Sequence, residues 1–299
     1  MNKINYYHSL IFFNLCIFLS GFSLFRNNDF LIICLFLILS LGISHGALDH
    51  FKGKKLLKIY KYRSMSLFYI SYIFVGLSII VLWLLLPKVT LLLFLIVASF
   101  HFGKEDSEFI NSSSNSELIY FLKGCVIIIA PLLFHKSETL AIFEYLNFEI
   151  SESIFITNAF LWSVLILGFI ANTLISLNKN FEIKSLLLMD YFSILILNYF
   201  LGPIFAFTIY FCFLHSARHS FKLSNELNKK SLFDGFKEFL LKAMPLTIIT
   251  ALLFIISLVV LKNYYVLDNA ASKVIFIGLA SLTFPHILLE YFLEKNEKK

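Results

Sequence analysis

SLFYISYIFVGLSIIVLWLLL, residues 66–86, contains no charged side chain from end to end. An apolar run of about 20 residues is what an α-helix needs to cross the hydrocarbon core of a bilayer. Lipid offers no water to the backbone, so the run must satisfy its own N–H and C=O groups, and a helix does this within the segment. Residues 66–86 are therefore read as a transmembrane helix.

Outward from this stretch the same pattern recurs. Apolar windows fall near 9–25, 30–50, 89–103, 118–134, 153–177, 185–200, 203–221, 239–261 and 273–293. With 66–86 they predict an all-α, polytopic integral membrane helical bundle of about ten transmembrane helices, eight at the fewest, in a single domain over 1–299. The windows at 89–103 and 185–200 are short for a full crossing and predict tilted, re-entrant or partly interfacial segments. Residues 138–150, with Glu138, Glu144 and Glu149 among aromatics, predict a surface loop or interfacial helix, and NSSSNS at 111–116 predicts a polar loop. The apolar start up to Phe25 has no small-x-small cleavage site, which favours a first transmembrane helix over a signal peptide.

Composition agrees with a lipid environment. Apolar residues make up 59% of the chain at a mean hydropathy of +0.83, against about 45–50% in soluble proteins. The net charge of +6 comes from lysines and arginines flanking the spans, so it speaks for topology and against nucleic acid as a partner. The cysteines, Cys16, Cys34, Cys125 and Cys212, each lie in an apolar run without a C-x-x-C pair and read as small buried hydrophobes.

Ten spans put both termini on one side. The loops of that side carry Lys52, Lys54, Lys55, Lys58, Lys61, Arg63, Lys222, Lys229, Lys230, Lys237 and Lys242, against Arg26, Lys88, Lys136, Lys262 and Lys273 on the other. The positive-inside rule makes the first side cytoplasmic and predicts a multi-pass protein of the cell membrane with both termini inside.

This topology places the histidines. His45, His50, His101, His215, His219 and His286 all lie toward the cytoplasmic ends of even-numbered spans; only His8 and His135 fall elsewhere. Ionisable groups within a membrane are costly unless paired or lining a cavity, so their repetition at one depth points to a shared purpose, which a metal ion supplies. His215 and His219 are four residues apart and share a helix face, as do His45 and Asp49. Imidazole donors without thiolates suit iron, zinc or copper. Asp49, Asp106 and Asp190 are available to orient ligand imidazoles by accepting their second N–H. For a single histidine near a helix end, an interfacial role is the commoner explanation; the coincidence across four helices favours ligands.

The blocks GISHGALDH (42–50), SFHFGKED (99–106), FLHSARHS (213–220) and TFPHILLE (283–290) resemble, in order and spacing, those of the Brp/Blh family of bacterial and archaeal membrane β-carotene 15,15′-dioxygenases. The resemblance spans nearly the whole chain. It implies a non-haem iron oxygenase that cleaves the central double bond of β-carotene with O2 to give two molecules of all-trans-retinal. It implies Fe(2+) held by His45, His101, His215 and His219, with Asp49, His50 and His286, from the same blocks, outside the ligand set. It also implies a functional link to a microbial rhodopsin that uses the retinal. A bilayer-soluble substrate would enter laterally between helices.

Three other classes match the sequence less well. A membrane di-iron hydroxylase or desaturase would carry H-x-x-H-H boxes, and none occurs. A proton or metal-ion transporter would continue its polar groups to the opposite leaflet. An intramembrane metalloprotease would need H-E-x-x-H, which is absent.

Overall fold

The computed structural model describes residues 2–21, 30–62, 64–110, 117–148 and 157–297. The loop at 111–116, Glu149, Arg26 and Arg63 lie outside them. The described residues form eleven helices and no strand: α1 (Asn2–Ser20), α2 (Leu31–Ile59), α3 (Met65–Leu85), α4 (Pro87–Glu105), α5 (Glu117–Phe134), α6 (Lys136–Tyr145), α7 (Asn158–Ser176), α8 (Phe181–Phe200), α9 (203–227), α10 (Leu232–Leu261) and α11 (Leu267–Glu297). Eight of them, all but α1, α6 and α9, are long and apolar enough to cross a membrane. The chain is an all-α polytopic membrane bundle.

Local chemistry sets the helix ends. Pro87 opens α4, where a missing N–H costs nothing. Asn180 caps α8 by accepting from the Ile183 N–H at 3.1 Å, and Ser231 caps α10 by accepting from Asp234 at 3.2 Å. The windows at 89–103 and 185–200 belong to helices of 19 and 20 residues, Pro87–Glu105 and Phe181–Phe200. At these lengths both are long and apolar enough to cross a membrane, because polar residues such as Lys104, Glu105 and Glu182 continue the helix beyond the apolar window. The 138–150 segment contains a short helix, α6.

Apolar surface is distributed as lipid requires. Leu84 and Phe74 on α3 are 76% and 69% exposed, and only 6% of the apolar window of α10 is buried, so these helices face the bilayer. By contrast α9 is buried along most of its length, from Pro203 to Ser220, mainly apolar up to Leu214 and polar from His215 on. It packs against α2, α8 and α10.

Close approach of α4 and α5 depends on two glycines. A Cβ on Gly103 would lie 1.8 Å from the Tyr120 carbonyl oxygen, and one on Gly124 would lie 1.7 Å from that of Ser99. Small residues let backbones meet where lipid gives no hydrophobic drive to associate. The same contact fixes the end of α4 that carries His101.

Both helices with irregular turns carry histidine blocks. In α2 a π-turn over Ile38–Gly42 is followed by a 3-10 turn over Ile43–Leu48, and α9 has a π-turn over Phe211–Ser216. Such turns re-aim side chains and recur at functional sites.

Candidate metal centre

Four helices each bring a pair of donor-type residues spaced four apart: His45 and Asp49 on α2, His101 and Glu105 on α4, His215 and His219 on α9, His286 and Glu290 on α11. On α4, α9 and α11 that spacing sets both members on one helix face. These faces meet at the C-terminal end of α4, the middle of α9 and the C-terminal half of α11. The donor atoms of His101, Glu105 and His215 lie within 4.8 Å of one another, as do those of His101, His286 and Glu290, and those of Glu105, His219 and Glu290. The ring centroid of His101 is 5.3 Å from that of His215 and 5.4 Å from that of His286.

Glu105 sits among the imidazoles. Its Oε2 is 2.9 Å from His101 Nε2 and 3.2 Å from His215 Nε2, and its Oε1 meets His219 Nδ1. Glu290 lies at the rim, with Oε1 2.7 Å from the Lys52 ammonium and Oε2 3.7 Å from His286 Nε2.

Two aspartates hold two of the rings from behind. His215 donates from Nδ1 to Asp106 Oδ1 at 2.9 Å, and the Tyr210 hydroxyl donates to Asp106 Oδ2 at 2.6 Å. On the opposite side His286 donates from Nδ1 to Asp49 at 2.8 Å, and Tyr72 donates to Asp49 at 2.7 Å. Each aspartate thus bridges a tyrosine and a histidine, and fixes the ring so that Nε2 turns to the centre. Asp106 lies just past the end of α4. Burial alone would push its carboxyl up, but His215, Arg218 and Lys123 outweigh burial and hold it at about 2.

His45 lies in the 3-10 turn of α2, and its side chain is outside the described residues. His101, His215, His219 and His286 come together, with Asp49 behind His286. His50 turns away: its Nδ1 bonds the Ala47 carbonyl at 3.1 Å and its ring packs on Phe51. Asp190 binds Arg218 at 2.9 Å, and Arg218 also donates to the Asp106 carbonyl at 3.1 Å and to Ser9 at 2.8 Å. Asp190 therefore reaches the site through this arginine. His8 accepts no role in the cluster but bonds the Phe213 carbonyl at 2.8 Å, within the π-turn of α9. His135 lies near Glu138, at 3.4 Å.

Sequence reasoning missed Glu105, Glu290 and Lys52. Glu105 and Glu290 follow His101 and His286 by the same four-residue step that links His215 to His219, a signal present in HFGKE and HILLE.

On one side the cluster adjoins a cavity of about 170 Å³, lined by Glu105, His215, His219 and Arg218 and reaching the ion pair of Glu108 and Lys222. On the other, rings stack inward from His215: Phe211 lies over it at 5.8 Å, Phe207 stacks on Phe211 at 5.5 Å and Phe276 on Phe207 at 6.1 Å.

The donors fit a first-row divalent ion. They are imidazoles and a carboxylate, and donors of this kind suit iron, zinc or copper.

No solved structure matches the chain. A family model described as beta-carotene 15,15'-dioxygenase matches residues 36–294, a range that contains all four pairs. A curated protein named beta-carotene 15,15'-dioxygenase, from uncultured marine bacterium 66A03, is 27% identical over 268 residues, covering 86% of this chain and 91% of its own. With the match running from α2 to α11, the chain belongs to the beta-carotene 15,15'-dioxygenase family.

Proposed function

We propose that the protein is a non-haem iron dioxygenase that cleaves the central double bond of β-carotene with O2 to give two molecules of all-trans-retinal. Family membership supports the reaction class. The observation that carries the metal is the convergence of His101, His215, His219 and His286 from three helices onto one buried point.

In this reading His45, His101, His215 and His219 hold Fe(2+), and His286 stands beside them with its Nδ1 tied to Asp49. Bound ferrous iron supplies the means to activate dioxygen beside the substrate's central alkene. The chain's own residues do the rest. Asp106 and Asp49 fix the tautomers of His215 and His286, and Tyr210 and Tyr72 keep those carboxylates from swinging. Phe102, with its ring 4.7 Å from that of His215, and Phe211 wall the centre with apolar surface against water. Aromatic faces also favour transient positive charge on a polyene. Both oxygen atoms end in the two aldehydes, so no external reductant is needed.

The substrate dissolves in the bilayer and reaches the centre from between the helices. The protein resides in the cell membrane with both termini cytoplasmic, the orientation favoured by its lysine distribution. A microbial rhodopsin is a natural consumer of the product.

Expression in bacteria that accumulate β-carotene tests the reaction. Loss of orange colour with appearance of retinal is the expected result. Colour retained in cells whose membranes contain the folded protein overturns it.

A further inference from the structure

Glu105 is 8% exposed at its side chain and faces three imidazoles, those of His101, His215 and His219. The cations nearby contact other carboxylates: Lys52 binds Glu290 at 2.7 Å, Lys104 binds Glu294 at 2.6 Å, Lys222 binds Glu108 at 2.5 Å and Arg218 binds Asp190 at 2.9 Å. Among the described residues the ion-pair contacts of Glu105 are with imidazoles alone.

The donor and acceptor roles then conflict. His215 donates its Nδ1–H to Asp106, so in its neutral form the ring presents a lone pair at Nε2. That lone pair points at a carboxylate oxygen 3.2 Å away. Two acceptors face each other unless a cation lies between them. Protonating His101, His215 and His219 together would bury three positive charges against the two carboxylates of Glu105 and Asp106, whereas one divalent ion accepts all the lone pairs together.

We propose that Glu105 is itself a ligand of the bound metal, making the centre a mixed imidazole and carboxylate site. The inference rests on the iron reading above and departs from its all-histidine ligand set. A carboxylate ligand lowers the net charge that a dication would otherwise bring into a low-dielectric interior. Its place on α4, one helical turn past His101, lets one rigid element supply two donors.

The test uses the full-length protein in nanodiscs, stripped of metal and titrated with Co(2+), whose visible absorption reports its ligands. Bound iron is measured in parallel by elemental analysis. Glu105→Gln and Glu105→Asp are compared with His101→Ala and with Glu294→Gln, a carboxylate that pairs with Lys104. The expected result is Co(2+) affinity lowered by about tenfold or more in Glu105→Gln, with displaced absorption bands in both Glu105 variants and none in Glu294→Gln. Glu105→Asp keeps the charge and decides the matter if the Gln variant fails to fold. Wild-type bands in a folded Glu105 variant overturn the inference, even with weakened affinity, because the carboxylate would then only position a neighbour. If His101→Ala still loses metal in that case, the iron reading stands. Wild-type protein that binds neither ion overturns both.

Discussion

The Asp106 carboxylate accepts the Nδ1 proton of His215 at 2.9 Å while its other oxygen accepts from Tyr210. A carboxylate behind a ligand imidazole sets its tautomer and raises its basicity, and losing it costs about 10–100-fold in metal affinity. Asp106→Asn is expected to reduce bound iron and retinal formation together, within that range, in protein that remains folded. Iron content measured beside turnover checks it; full iron with full turnover would remove Asp106 from the site.

Asp49 and His286 repeat the arrangement on α2 and α11. His286→Ala is expected to abolish retinal formation. Tyr72→Phe removes one hydrogen bond to Asp49 and is expected to cost only about 1 kcal/mol, with most activity kept. Side-by-side turnover of the two variants decides whether the second aspartate supports the centre or merely packs the bundle.

Gly42 faces the ring of Phe211, where an added Cβ would lie 2.6 Å from Cε1. Phe211 cannot yield easily, because it is stacked between Phe207 and His215. Gly42→Ala is expected to displace His215 and lower turnover by about 100-fold if the shift approaches 1 Å. Combining it with Phe211→Leu should recover part of the loss; no change in the single variant would show that the ring moves freely.

Gly124 meets the Ser99 carbonyl backbone, which cannot rotate away. Gly124→Val should separate α4 from α5, destabilise the bundle by more than the roughly 1–3 kcal/mol of ordinary overpacking, and lower both membrane yield and Tm. A Tm equal to wild type would show that the helices have room to spare.

Removing the metal tests the centre as a whole. A ligand that binds only the folded state stabilises it by about 2.7 kcal/mol at roughly a hundredfold excess over Kd. Chelation is therefore expected to abolish activity and lower Tm, and Fe(2+) should restore both.

Legibility followed the range of the interactions. Hydropathy is a local property, so SLFYISYIFVGLSIIVLWLLL at 66–86 and its counterparts were enough to establish a helical membrane bundle. The gathering of His101, His215, His219 and His286 toward one edge followed from counting spans, and the pairing of His215 with His219 from helix periodicity. Partnership across helices was not legible in this way. In sequence Glu105 and Glu290 carry no mark but their four-residue step from His101 and His286, Asp190 looks like an aid to a ligand, and His50 looks like a neighbour of the ligand set. The fold buries Glu105 among three imidazoles, commits Asp190 to Arg218 and turns His50 onto Phe51. Those outcomes depend on where α4 stands against α5, α9 and α11. That placement is set by glycine contacts between helices and by the π-turns that re-aim α2 and α9, so only the tertiary structure decides which polar groups meet.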